Sequence, residues 1–99
     1  MRLATLLLTG ADEGEVERAA EALAEALRPE AEAQQVKVLG PAPQALARLR
    51  GKYRWHLLLK GTNAAKVRAV ASAGLAWAES KARPSAVRVV ADVDPVEVL

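Results

Sequence analysis

Between Tyr53 and Lys60 the chain alternates. Tyr53, Trp55, Leu57 and Leu59 fall on one parity, and Arg54, His56, Leu58 and Lys60 on the other. A period of two is that of a β-strand with one face in a core and the other in water. Burying an unpaired charge costs several kcal/mol, so the aromatic and leucine row is expected inside and the row with Arg54, His56 and Lys60 outside. Residues 2–9 (RLATLLLT) carry leucines on both parities, which predicts a central strand closed by Thr9-Gly10. Residues 36–39 predict a brief strand ended by Gly40-Pro41. In the last strand Val87, Val89, Ala91 and Val93 alternate with Arg88, Val90, Asp92 and Asp94, before Pro95.

Two stretches follow the helical period instead. Val16, Ala19, Ala20, Leu23 and Leu27 share one side, and Glu13, Glu17, Glu21 and Glu25 hold the other, up to Pro29. Asp12 followed by Glu15 is a capping-box start, and residues 30–35 read as a polar connection. Asn63 caps a second helix with the stripe Val67, Val70, Ala71, Gly74 and Ala78, and Trp77 closes one end. Pro41 and Pro43 keep the chain extended in a loop of about a dozen residues, with a turn of helix over 44–50 before Gly51. The order βαββαβ predicts an α+β, ferredoxin-like split βαβ fold: a four-stranded antiparallel sheet with both helices on one face. Strand three then lies inside the sheet and presents its basic row near the centre of the open face. Alternate strand residues stand about 6.6 Å apart, close to the reach between successive phosphates.

Composition narrows the possibilities. A chain of 99 residues is expected to form one domain over 1–99. It has neither a membrane-length apolar run nor a secretory leader, so a soluble, cytoplasmic protein without a membrane partner is expected. With no cysteine and one histidine, disulfides, thiolate chemistry and the usual zinc frameworks are set aside. The net charge of +2 says little, but its distribution is lopsided. Residues 1–32 hold three basic and eight acidic side chains, 33–78 eight basic and none acidic, and 79–99 three basic and four acidic. Two readings fit: a surface that meets a polyanion, or an ordinary solvated face.

The motifs argue against catalysis. Gly51-Lys52 is followed by Tyr53, and Gly61 follows its lysine, so there is no phosphate-cradling loop of the ATPase type. Ser72, Ser80 and Ser85 have only His56 to share, without the context of a nucleophile. The helical glutamates read as a wet face, and Asp92 and Asp94 as surface partners of Arg88. Arg50-Gly51-Lys52-Tyr53 invites comparison with the third-strand signature of RNA-recognition domains, but the parity differs. Lys52 and Arg54 occupy the positions where that signature exposes stacking aromatics, so such a face would hold phosphates and read little sequence. Lys60 ahead of the second helix, with Lys66 one turn in, is either an anion site or an ordinary cap. His56 is either a satisfied surface histidine or a contact residue.

Three blocks carry a resemblance: VLGPAP over 38–43, RLRGKYRWHLLLKG over 48–61 and VADVDP over 90–95. In order and spacing they closely resemble the C-terminal domain of primosomal protein N′, the PriA family of replication-restart helicases. Ala91 and His56 depart from what is usual there. The resemblance implies a fold similar to ribosomal protein S10, and a chain excised from a longer protein whose ATPase lobes, zinc segment and N-terminal DNA-binding region lie elsewhere. ATP, magnesium and zinc would belong to those regions, and no cofactor to this one. It further implies binding to forked DNA, and proximity to a pocket for the C-terminal peptide of single-stranded DNA-binding protein. The residues it implicates are Arg48, Arg50, Lys52, Arg54 and Lys60, with Lys66 and Arg68 as weaker neighbours. A protein-docking domain for the motor lobes or that peptide, and an S10-like RNA-binding module, are the alternatives.

Overall fold

Asp12 opens the first helix as its sequence requires: its carboxylate accepts from the Glu15 N–H at 3.0 Å, satisfying one of the donors that a helix start leaves free. Asn63 does the same for the second helix, accepting from the Lys66 N–H at 3.1 Å. The computed structural model describes residues 1–49, 51–80 and 87–93. They form β1 (Arg2–Gly10), α1 (Glu13–Gln34), β2 (Lys37–Leu49), β3 (Lys52–Gly61), α2 (Ala64–Ala78) and β4 (Arg88–Val93). The sheet order is β2-β3-β1-β4 with every neighbouring pair antiparallel, the ferredoxin-like arrangement that the element order predicts.

The core lies between the sheet and the two helices. Ala4, Leu6 and Leu8 of β1 and Leu57 and Leu59 of β3 meet Val16, Leu23 and Leu27 of α1 and Val67 and Val70 of α2, all essentially inaccessible to water. Tyr53, Trp55 and Trp77 pack against the margin of this cluster. The buried stripe of α2 is the predicted set, Val67, Val70, Ala71, Gly74 and Ala78. Among the described residues no polar or charged side chain is buried. None of the described helices is long and apolar enough to cross a membrane.

Two expectations are corrected. The first helix does not stop at Pro29 but continues to Gln34, so residues 30–34 are helical rather than a connection. An internal proline costs a helix about 3 kcal/mol. Here Leu27 and Ala31 are buried on either side of it and hold both segments against the sheet, while Pro29 itself is exposed. The helix ends at Gln35, whose left-handed backbone (φ 59°) returns N–H groups to the carbonyls of Ala31 and Glu32. The second correction concerns residues 40–49, expected as a loop with a turn of helix and found as the continuation of β2. Register shifts between Leu39 and Ala42 and between Pro43 and Arg48 let the strand bulge and resume. Gly40 (φ 98°) makes the first shift, in a backbone region that disfavours a side chain. Pro41 and Pro43 are tolerated because β2 is an edge strand.

Where α2 crosses the core, a Cβ at Gly74 would lie 2.8 Å from Leu6 Cδ1 and 3.5 Å from Leu27 Cδ1. Gly74→Val is therefore expected to overpack the core, lowering stability by about 1–3 kcal/mol and the melting midpoint by about 4–8 °C for each kcal/mol. Asp12→Ala, which removes one cap, should lose about 1 kcal/mol. Thermal melts of both variants check these values.

Candidate nucleic-acid interface

The β2–β3 hairpin carries most of the basic residues singled out in the sequence. Its arms pair up to Arg48 with Tyr53 and Leu49 with Lys52, and Gly51 supplies the positive φ (78°) of the turn. Lys52 is exposed, and Arg54, His56, Leu58 and Lys60 are half-buried on the open face. Their neighbours on the other parity, Tyr53 and Trp55, pack on the core, and Leu57 and Leu59 lie within it. The predicted inside and outside rows are thus the ones found. Arg48 is placed here by backbone register alone, and Arg50 lies outside the described residues.

Cross-strand register builds the rest of the face. Lys60 stands between Lys37 on β2 and Leu3 on β1; Leu58 between Leu39 and Thr5; His56 between Ala42 and Leu7. Arg54 is opposite Thr9, which on its other side faces Arg88 of β4, and Leu7 faces Val90. The open face is therefore cationic at two ends, Lys37 with Lys60 and Arg54 with Arg88. The ends are separated by about 20 Å of strand. Between them lies an aliphatic band in which Leu39 (43% exposed), Val90 (42%) and Leu3 (36%) are unusually open for their type. The sequence marks Arg54, His56 and Lys60 on this face. It hides the partnership of Lys37, the cationic end at Arg88 and the band itself, because these depend on strand order and on the register after the β2 bulge.

Charge separates across the layers. Glu13, Glu21, Glu25 and Glu32 are exposed on α1, on the side of the sheet away from the open face, and the ion pair of Glu25 with Arg28 (2.8 Å) lies there. Asp92, opposite Thr5, is the acid that the register places on the open face among the described residues. Lys66 and Arg68 sit on α2, in the helical layer, so the fold does not bring them to the open face. The Lys66 N–H donates to the Asn63 carboxamide oxygen, which is the arrangement of an ordinary cap. Among the described residues, two ring nitrogens, Trp55 Nε1 and His56 Nδ1, are buried and have no hydrogen-bond partner. Leaving such an atom unpaired costs about 1–3 kcal/mol. Among the described residues, no group of three or more His, Cys, Asp or Glu is positioned to hold a metal ion.

Comparison with known proteins agrees with this fold and adds a family. By structure the chain is similar to the de novo designed protein Foldit4 (TM-score 0.63, 14% identity), with 94% of this chain and 97% of that one aligned. It is also similar to part of a hydantoinase/carbamoylase family amidase from Burkholderia ambifaria (TM-score 0.62, 17% identity), over 94% of this chain and 27% of the amidase. At such identities the likeness is one of fold alone. By sequence it is 44% identical over 66 residues to the probable replication restart protein PriA of Deinococcus radiodurans, a match covering 67% of this chain and 7% of that protein. Residues 1–96 match the family described as the primosomal protein N C-terminal domain, and the chain therefore belongs to that family, the C-terminal domains of PriA.

Proposed function

We propose that residues 1–99 act as one module of a longer cytoplasmic replication-restart helicase and hold DNA, forks in particular, through phosphates rather than bases. The observation that carries this reading is the division of β3: its aromatics turn into the core while Lys52, Arg54 and Lys60 stay accessible on the other parity. A face without exposed aromatics offers no stacking platform, and ammonium and guanidinium groups read charge rather than sequence. The region from 33 to 78, with eight basic residues and no acid, supplies a field of one sign. Arg48 and Arg50 extend it along the hairpin sequence, with Lys66 and Arg68 as flanking charges from the helical layer. On this reading the chain binds, and ATP turnover belongs to other regions of the parent protein.

The aliphatic band favours a second reading. Leu3, Leu39 and Val90 suit a protein partner better than a phosphate backbone, and the cationic ends would select an acidic one. The C-terminal peptide of single-stranded DNA-binding protein, or another part of the parent helicase, fits that description.

If about three phosphates are neutralised, log K should fall with log salt at a slope of roughly −2 to −3, read by fluorescence anisotropy on fork DNA. Lys52→Glu with Arg54→Glu should weaken binding about tenfold or more and flatten that slope by about 2, while the melt stays within a few °C, because both side chains lie on the open face and outside the core. Affinity indifferent to salt, or unchanged in the double variant, would refute phosphate contact. NMR shift mapping separates the two readings. DNA should move the amides of Lys52 and Arg54, whereas an acidic peptide that uses the band should move those of Leu39, Leu58 and Val90.

A further inference from the structure

Where β2 begins and β3 ends, Lys37 and Lys60 are direct partners across the antiparallel ladder. Like charges placed opposite one another destabilise a sheet. They line a pocket of about 190 Å³ whose other walls, among the described residues, are Met1, Gln35, Gly61 and Thr62, with no carboxylate side chain there to relieve the repulsion. The fold makes the pocket. The left-handed turn at Gln35 sets the start of β2 beside the end of β3. Gly61 lets Val67 and Val36 close in beneath, since a Cβ there would lie 3.0 and 3.3 Å from their methyl groups.

Among the described residues, the side chains around this concavity supply two ammonium groups, a hydroxyl and a carboxamide, and no carboxylate. Such a set suits an oxyanion with several oxygens. Two fixed positive charges match a phosphomonoester, which carries about −1.5 to −2 at neutral pH, better than a phosphodiester with a single negative charge. We propose that this pocket binds a phosphomonoester dianion, with Lys37 and Lys60 providing the charge and Thr62 and Gln35 providing hydrogen bonds. Resting on the DNA-binding reading for its source, the natural ligand is the terminal phosphate of a nucleic-acid strand. Free phosphate has the same chemistry, and the test separates the two.

Short single-stranded DNAs ending in 5′-phosphate, 3′-phosphate or hydroxyl are compared by anisotropy. Separately, inorganic phosphate is titrated into the ¹⁵N-labelled chain. A phosphorylated end should bind about tenfold tighter than a hydroxyl end, the gain of one charge-assisted contact. Lys37→Thr should remove that preference and Lys37→Arg should retain it, the preference being the ratio of phosphorylated-end to hydroxyl-end affinity within each variant, so that any general loss of phosphate contact cancels. Lys37→Thr should melt no lower than the parent, since it relieves a like-charge pair. If it melts lower, the same loss is read in Lys60→Gln. Saturable phosphate-induced shifts at Lys37, Lys60 and Thr62 without any end preference would support the pocket and assign it to free phosphate. The absence of both the end preference and those shifts would overturn it. Failure of hydroxyl-ended DNA to bind at any salt would instead refute the DNA-binding reading, and the phosphate titration would still decide the pocket.

Discussion

One register constraint governs this molecule. On β3, the packing of Trp55, Leu57 and Leu59 on the core side and the placement of Arg54 and Lys60 on the open face are a single event, because neighbouring side chains on a strand take opposite faces. A slip of one residue would drive three cationic or imidazole side chains into the core and put two leucines and two aromatics in water. The penalty would exceed the stability of a chain of this size. The accessible charge on the open face is therefore guaranteed by the packing on the hidden one, and no salt bridge has to hold those groups in place.

How much of this can be read from the sequence depends on the range of the interaction responsible. Caps are local: Asp12 with Glu15 and Asn63 with Lys66 are three residues apart, and both are found where the sequence places them. The buried stripes of the helices follow from periodicity, which needs no knowledge of the partner surface. Pro29 is different. Its local rule says stop, and it is overruled by Leu27 and Ala31, which tie both halves of α1 to the sheet. The extension of β2 past Gly40 is likewise decided at a distance, by backbone pairing with β3 that continues after a bulge.

The candidate site divides along the same line. Arg54, His56 and Lys60 are legible because parity within one strand assigns them together. Lys37, Arg88 and the exposed aliphatics become neighbours only through the order β2-β3-β1-β4 and its registers. That order also creates the polarity of the molecule, with the acids of α1 on one outer surface and the cations of the sheet on the other. A polyanion would meet attraction at the sheet and repulsion at α1.

The interrupted backbone of β2 has a bearing on how such a unit can coexist with many neighbours. This strand forms one rim of the sheet, where unpaired amides and carbonyls would ordinarily invite another chain to join edge to edge. Pro41 and Pro43 withhold two amide donors, and the shifts in register break the even spacing that an incoming strand must match. The rim is thereby blunted against sticky self-addition, while the broad surface of the sheet stays open.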